Sequence, residues 1–402
     1  LSAFDQSLPF ELTAGQIAVA AEIEGDLAQS HPMHRLLQGE VGSGKTVIAL
    51  RAMLAVVDNG GQAALLAPTE VLAAQHLRTI EKLMGELAHG GMIGAPEFST
   101  RITLITGSQS AAERKDALAL AASGDAGIVI GTHALLSASV EFNDLGLIVV
   151  DEQHRFGVEQ RDALKGKAKI PPHLLVMTAT PIPRTVAMTV FGDLDVSTLR
   201  ELPLGRAPIT THVVNTLEKP AFLERAWERI CEEVSQGHQA YVVASRINAD
   251  VTEDADIDFL LGTTSLELAS VDELAPKLAT GALKGIRVAP LHGRLSGELK
   301  EATMSAFAAH ELDVLVSTTV IEVGVDVPNA TVMVIMDAER FGVSQLHQLR
   351  GRVGRGTSPG LCILITTAIV ETPARIRLEA VARSTDGFEL SRIDLEQRRE
   401  GD

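Results

Sequence analysis

Short apolar runs alternate with longer amphipathic stretches through the first half of the chain. The runs span residues 34–37, 63–67, 102–105, 127–130, 147–150 and 174–177. Their length and composition predict strands, and the stretches between them predict helices, among them one at 47–55. Alternation of strand and helix is typical of a parallel α/β sheet.

Polar or glycine-containing turns follow all six of these predicted strands. In open parallel sheets, ligands bind in the crevice beyond the carboxyl ends of the strands. The recurrence therefore predicts that these turns share one edge of the sheet and form a ligand-binding site there.

A Pro- and Gly-rich joint at 202–208 interrupts the pattern, which restarts with predicted strands at 241–244, 287–290, 314–317, 332–336 and 361–365. A chain of 402 residues also exceeds one ordinary core, so two domains are expected. The predicted fold class is α/β, with two lobes that are each a mostly parallel sheet flanked by helices, plus a short helical C-terminal segment. The predicted boundaries are 1–202 for the first lobe, 203–209 for the linker, 210–370 for the second lobe and 371–402 for the C-terminal segment.

The net charge of −17 discourages a nucleic-acid partner, but charge is segregated along the chain. No acidic residue lies between Glu339 and Glu371, a stretch that holds four arginines. Eight acidic residues and no Lys or Arg lie between Arg246 and Lys277. We interpret 248–280 as a solvated surface insertion containing a helix, and overall acidity does not exclude DNA.

Composition narrows the class of protein. Hydrophobic residues at 46% and charged residues at 22% are typical of a globular protein. No apolar run approaches the roughly 18 residues of a membrane span, and the first residues lack the basic region of a signal peptide. Cys231 and Cys362 lie far apart, which argues against a zinc site or disulfide framework and fits a reducing cytoplasm. Because the chain starts at Leu1 rather than Met, further sequence upstream is expected.

Residues 39–46 match the phosphate-binding pattern G-x-x-x-x-G-K-[ST] in full, after a predicted strand and before a predicted helix. Glycines let backbone N–H groups surround phosphates, and the helix N-terminus adds a favourable dipole. Lys45 is expected to reach the β- and γ-phosphates, and Thr46 to ligate Mg²⁺. The predicted nucleotide contacts here are Gly39, Gly42, Ser43, Gly44, Lys45 and Thr46.

Asp151 and Glu152 close the most apolar predicted strand of the first lobe. Asp151 is placed to hold Mg²⁺, and Glu152 can orient and deprotonate an attacking water. Taken alone, such a pair is often only a helix cap. Together with the phosphate loop upstream, it predicts hydrolysis of a nucleoside triphosphate.

From residue 8 to 402, the chain resembles superfamily 2 helicases, and within them the RecG family. Asp-Glu-Gln-His-Arg-Phe-Gly at 151–157 is similar to that family's DExH box, and the segment with Phe10 and Gln16 resembles its adenine-recognition region. The resemblance implies two RecA-like lobes that use ATP and Mg²⁺ to move on duplex or branched DNA. It also implies a monomeric, cytoplasmic, nucleoid-associated protein, with single-stranded-DNA-binding protein as a candidate partner.

Other motifs of the resemblance supply roles for the remaining strand ends. Those similar to the family's DNA-phosphate contacts include Pro68, Thr69, Gly107, Thr132, His133, Gly293, Arg294 and Thr318. Those similar to the motif that couples hydrolysis to movement are Thr178, Ala179 and Thr180. Gly324 and Asp326 resemble further nucleotide contacts in the second lobe, and Gln348, Arg352 and Arg355 resemble the γ-phosphate contacts. We expect Arg352 and Arg355 to share one helical face, because they are three residues apart.

Residues 385–395 resemble the opening of the C-terminal module that RecG shares with the transcription-repair coupling translocase. The family's Arg-Gly-Pro-Gly is Arg-Arg-Glu-Gly here, at 398–401, and its N-terminal wedge domain is absent from this sequence. We therefore expect an ATPase-competent core with weakened or lost coupled remodelling of forks.

Three alternatives stay open on the residues. One is the transcription-repair coupling translocase, although Gln153 and the 192–197 run favour RecG. The second is a nucleotide-gated clamp with little turnover. The third is an RNA helicase, because phosphate contacts distinguish RNA from DNA sugars poorly. Lys165, Lys167 and Lys169 are predicted either to touch DNA or to lie in a solvated loop, and Trp227 is predicted to be a core residue.

Overall fold

The chain divides between Pro203 and Leu204 into two units of the same α/β class. The computed structural model describes residues 1–92, 94–96, 98–151, 164–179, 194–201, 207–245, 270–319 and 327–399, with side chains of the last helix described as far as Ile393. Within these ranges, no helix combines the length and the apolar character that a membrane crossing requires.

The first unit is built on a seven-stranded parallel sheet with the strand order β3-β4-β2-β5-β6-β1-β7. Its strands are β1 His34–Gly39, β2 Gln62–Leu66, β3 Arg101–Ile105, β4 Ala126–Gly131, β5 Leu145–Asp151, β6 His173–Thr178 and β7 Asp195–Leu199. Its described helices are α1 Ser2–Ser7, α2 Ala14–Leu27, α3 Lys45–Asp58, α4 Glu70–Met84 and α5 Ala111–Ser123. Two buried apolar clusters cover the two faces of this sheet.

The second unit repeats the plan with a six-stranded parallel sheet in the order β10-β11-β9-β12-β13-β8. Its strands are β8 Ile209–Asn215, β9 Gln239–Val243, β10 Val288–Leu291, β11 Val314–Ser317, β12 Ala330–Ile335 and β13 Gly360–Thr366. Its described helices are α6 Ala221–Ser235, α7 Val271–Thr280, α8 Gly297–Ala308, α9 Val343–Arg350, α10 Pro373–Arg383 and α11 Gly387–Arg399. The predicted fold class is confirmed, and the last two helices match the helical C-terminal segment.

All eleven predicted strands are confirmed, with ends that shift by a residue or two. The sequence prediction missed β7 and β8, which are the outer strands beside β1 and β13. Both carry polar residues at half-exposed positions, because only one edge of an outer strand is hydrogen-bonded and its faces are partly open to solvent.

A buried glutamine begins the strand that is third from one edge in each sheet. In the first unit, the amide nitrogen of Gln62 donates to the carbonyls of Ala121 and Ala126 at 3.0 and 2.8 Å. In the second, Gln239 donates to the carbonyls of Phe307 and Leu312 at 2.6 and 2.8 Å. These bonds supply donors to backbone carbonyls where a helix gives way to the next strand. A buried carbonyl without a donor would lower the stability of the fold.

The interpretation of 248–280 as a surface insertion is wrong for its described part, residues 270–280. Helix α7 buries Val271, Ala275 and Leu278 in the core cluster that also holds Trp227. The acidic residues of α7 lie on its exposed side, whereas its apolar residues recur at helical spacing and pack beside β10. Trp227 is 8% exposed, so its prediction as a core residue is confirmed.

Leu278→Ala is expected to lower the free energy of unfolding of the second unit by about 3 kcal/mol, because it leaves a cavity in a fully packed cluster. Trp227 is the only tryptophan of the chain, so its fluorescence during urea unfolding reports on this unit. Lys277→Ala, on the exposed side of the same helix, should change the value by less than about 0.5 kcal/mol. Equal effects of the two variants would contradict core packing of α7.

Candidate active site

The phosphate-type loop joins β1 to α3 through a backbone that only glycine adopts readily. Gly42 and Gly44 have φ angles of +86° and +88°, and Gly44 caps the N-terminus of α3. At Gly39, a Cβ atom would lie 2.6 Å from Ser43 Oγ and 2.9 Å from the carbonyl oxygen of Leu199. The three glycines are therefore required by the shape of the loop.

Gln16 supports this loop from α2. Its side-chain carbonyl accepts a hydrogen bond from the Thr13 amide at 3.0 Å, and its Nε2 donates to the Ser43 carbonyl at 2.9 Å. A Cβ atom on Gly44 would collide with the same Nε2. The resemblance implies that Gln16 recognises adenine, which stays a prediction. The structure places Gln16 against the loop as a buried support.

The polar groups of the loop face inward. Lys45 Nζ donates to the carbonyls of Gly39 and Glu40 at 2.8 and 2.9 Å. Ser43 Oγ is buried and has no hydrogen-bond partner among the residues that the structure describes, and Thr46 is half-buried in the first turn of α3. A buried hydroxyl without a partner is costly, and a phosphate oxygen would satisfy it. The loop thus fits an anion with several acceptor oxygens.

Asp151 lies at the end of β5 and is 13% exposed. Its Oδ2 is 2.7 Å from Nε2 of His76 on α4, whose side chain is 11% exposed. Sequence reasoning missed His76, because its partner is 75 positions away and the histidines carry no ligand spacing. Glu152 lies outside the described residues.

The pairing register of β6 with β1 and β5 places the end of β6 beside the loop. Gln38 of β1 pairs with Thr178 of β6, and Asp151 pairs with Met177. Thr178 and Ala179 are both buried, and Thr180 lies outside the described residues. The sheet therefore brings the phosphate-type loop, Asp151 and Thr178 to one edge, as the turn pattern predicted.

Three further turns of the first unit present hydrogen-bonding groups after β2, β3 and β4. Pro68 is half-buried, and Thr69 caps α4 by accepting from the Leu72 amide at 3.3 Å. Thr132 is buried and caps the single turn that begins at His133, which is exposed. A capping hydroxyl still carries a hydrogen that it can donate.

The turn after β3 holds an anion of the protein itself. The amides of Gly107 and Ser108 donate to Oε1 of Glu70 at 2.7 and 3.2 Å. Glu70 is the first residue of α4, so this carboxylate links the turns after β2 and β3. Two adjacent amides that bind a carboxylate have the geometry to bind a phosphate oxygen.

Among Lys165, Lys167 and Lys169, Lys167 forms hydrogen bonds with backbone groups of the first unit. Its Nζ donates to the carbonyls of Ser137 and Val140 at 2.7 and 2.9 Å. Burial lowers the pKa of Lys167, while the charge of Glu141 opposes that shift. The alternatives of DNA contact or a solvated loop are thus replaced, for Lys167, by a structural role.

In the second unit, the turns after β10 and β11 are adjacent. Gly293 and Arg294 are exposed, and Lys300 Nζ donates to the Gly293 carbonyl at 2.7 Å. Thr318 is buried, and its amide donates to the Leu291 carbonyl at 3.3 Å. Gly324 and Asp326 lie outside the described residues.

The prediction that Arg352 and Arg355 share a helical face is wrong. Helix α9 contains Gln348 but ends at Arg350, and both arginines lie in the glycine-rich turn that follows. Gly354 has φ +67° there, which a continuing helix excludes. Arg355 Nε donates to the Gly351 carbonyl at 2.8 Å, which holds its guanidinium against the helix end.

Arg350 is a second residue that sequence reasoning missed. It is 2% exposed, and its Nη1 donates to the carbonyls of Val381 and Ser384 at 2.5 and 2.8 Å. Its Nη2 is 2.8 Å from Nδ1 of His347. The guanidinium thereby ties α9 to the C-terminus of α10, where carbonyl groups lack partners within the helix.

Two family models match the chain in tandem. The model described as DEAD/DEAH box helicase matches residues 13–189, and the model described as helicase conserved C-terminal domain matches residues 225–357. Together they cover most of both units.

Two curated relatives of the chain carry the same name. The chain is 59% identical over 98% of its length to the ATP-dependent DNA helicase RecG of Mycobacterium tuberculosis, and 46% identical over its whole length to that of Synechocystis. It spans about half the length of these curated relatives, 53% and 45% respectively. A solved structure of RecG bound to a three-way DNA junction matches 98% of this chain and 48% of that one, with a TM-score of 0.77 and 38% identity.

Gly44→Ala is expected to weaken binding of a fluorescent ATP analogue at least tenfold, because the new Cβ meets Gln16 and the left-handed backbone is strained. Gly60→Ala is the matched control, since Gly60 has φ +83° with no atom within 4 Å of the new Cβ. It should cost about 1 kcal/mol of stability and leave binding intact. Normal binding by Gly44→Ala would refute the loop as the nucleotide site.

Proposed function

Since this chain belongs to the RecG family of helicases, we propose that it is the ATP-hydrolysing motor of a DNA helicase or translocase that acts on branched or duplex DNA. The observation that carries the proposal is the loop at 39–46, with its left-handed glycines and a buried Ser43 hydroxyl that has no partner within the described part of the chain. The names of the relatives and the junction-bound homologue support DNA as the substrate.

ATP would lie along the loop with its base toward α2. Phe10 and Ile17 are exposed apolar side chains that line a cavity of about 740 Å³ with Leu8 and Pro9, and apolar surface of this kind suits an aromatic base. Gln16 would contact the adenine, and Lys45 would exchange its loop carbonyls for phosphate oxygens. The loop amides and the α3 dipole favour the triphosphate.

Thr46 and Asp151 would hold Mg²⁺, because a hydroxyl and a carboxylate are the oxygen donors that this ion prefers. When bound, Mg²⁺ supplies neutralisation of the charge that develops on the phosphates. Glu152 would orient the attacking water, and Gly324 and Asp326 would add nucleotide contacts. Gln348, Arg352 and Arg355 would stabilise the transferring phosphoryl group. Thr178, Ala179 and Thr180 would couple hydrolysis to movement.

DNA would be held by its phosphates rather than by its bases. The proposed contacts are Pro68, Thr69, Gly107, Thr132 and His133 in the first unit, and Gly293, Arg294 and Thr318 in the second. Hydroxyls and backbone amides predominate among these groups, so little base specificity is expected. We also propose that this activity includes the remodelling of DNA forks.

We propose the same domain boundaries that the sequence predicts. The division between Pro203 and Leu204 supports lobes at 1–202 and 210–370 with a linker at 203–209, and the contacts of α10 and α11 with α9 support 371–402 as a coupling segment. We also propose a monomer in the cytoplasm, associated with the nucleoid, with single-stranded-DNA-binding protein as a partner.

Steady-state ATP hydrolysis with and without branched and linear duplex DNA tests the proposal. We expect DNA to stimulate turnover, and Lys45→Ala to lower it at least about 100-fold, because it removes a phosphate-binding charge. Absence of turnover in the unaltered chain, despite measurable binding of ATP and DNA, would reduce the proposal to a nucleotide-gated clamp.

Glu70→Ala is expected to tighten binding of DNA about five-fold, equivalent to about 1 kcal/mol, because a phosphate no longer has to displace the carboxylate from the Gly107 and Ser108 amides. Fluorescence anisotropy with a labelled duplex measures the affinity. Glu81→Ala, exposed on the same helix, controls for the loss of one negative charge. Weaker binding by Glu70→Ala alone would mean that the carboxylate shapes the turn for DNA.

A further inference from the structure

Helix α4 connects two places that the proposed function assigns to different ligands. Its N-cap, Thr69, lies at the proposed DNA contact, and His76 reaches Asp151 at the proposed metal site. His76 lies seven positions after Thr69, which is about two turns or 10 Å along the axis. That spacing places both residues on one face of the helix.

The bond between His76 and Asp151 is well sheltered. The two side chains are 11% and 13% exposed, and the atoms that join them are 2.7 Å apart. An ionised carboxylate only accepts hydrogen bonds, so Nε2 of His76 carries the proton that is shared. The bond sets the rotation of the carboxylate plane, and partners of this kind orient metal ligands.

Helix α4 is fixed along the face that carries His76, because Ala73 and Ile80 lie three residues before it and four residues after it. Ala73 and Ile80 are fully buried and Met84 is 2% exposed, and all three pack into one core cluster of the first unit. A helix packed in this way moves as a unit, because close packing resists local deformation. A shift imposed at Thr69 would therefore be carried to His76.

We propose that His76 is a positioning residue that couples contact with a nucleic-acid phosphate at the start of α4 to the orientation of the Asp151 carboxylate. The inference rests on the proposed function, since it assigns Thr69 to DNA and Asp151 to the metal-bound nucleotide. Through this bond, DNA binding adjusts the geometry of the metal ligand and thereby the rate of hydrolysis.

Substitution of His76 tests the coupling through three separate readouts. These are the Mg²⁺ concentration that half-saturates binding of a fluorescent ATP analogue without DNA, the dissociation constant for duplex DNA, and the ratio of kcat with and without DNA. We expect His76→Ala to raise the Mg²⁺ midpoint about tenfold. The ratio of kcat values should fall at least threefold, and DNA affinity should stay within twofold.

His76→Gln is the rescue variant, because its amide nitrogen can donate where Nε2 does, and it should restore both the Mg²⁺ midpoint and the stimulation. His89→Ala, an exposed histidine just beyond the same helix, should match the unaltered chain. Where His76→Ala unfolds at the assay temperature, His76→Gln and His76→Asn carry the comparison, since the shorter amide cannot reach Asp151.

An unchanged Mg²⁺ midpoint in His76→Ala would overturn the proposal, as would failure of His76→Gln to exceed His76→Ala. If His76→Ala raises the Mg²⁺ midpoint as expected but DNA still stimulates its kcat fully, the coupling is overturned. His76 would then only orient Asp151. If DNA does not stimulate the unaltered chain, the proposed function fails, and that result is separate from the Mg²⁺ titration.

Discussion

Parallel hydrogen bonding between strands is the constraint on which both units depend. All the strand pairs described in the two sheets run parallel, so each strand must return to the starting edge through a crossover that covers one face. The carboxyl ends of the strands consequently meet at one edge. Gly39, Asp151 and Thr178 are far apart in the sequence, and they become neighbours because their strands do.

The chemistry at this edge uses few charged side chains and many backbone groups. Amides at Gly107 and Ser108, the caps at Thr69 and Thr132, and the glycine loop all present donors that the fold itself holds in place. Because backbone groups bind anions at this edge, a protein with a net charge of −17 can still offer sites for anions. Local dipoles act over a few ångströms, whereas distant acidic residues are screened by solvent and salt.

The central strands and the phosphate-type loop could be predicted from the sequence, because buried apolar runs and fixed glycine spacing are local signals. The strands β7 and β8 could not be found in this way, since outer strands mix Ser, Thr and His with few apolar residues. The many acidic residues of 248–280 suggested a solvated surface. Val271, Ala275 and Leu278 nevertheless recur at the spacing of one buried helical face, and this pattern was present in the sequence. His76 and Arg350 depend on contacts across 75 and 31 positions, which no local pattern encodes. The roles assigned to the site residues remain predictions.

The folded-back position of Lys45 changes what nucleotide affinity means for this loop. Its ammonium is already solvated by the carbonyls of Gly39 and Glu40, so a ligand enters by exchange of partners and not by neutralising a bare charge. The heat of association is then expected to be a difference between two sets of charge-assisted hydrogen bonds, which can be small even when each set is strong. The carbonyls of the loop thus hold the positions around the ammonium that phosphate oxygens would take.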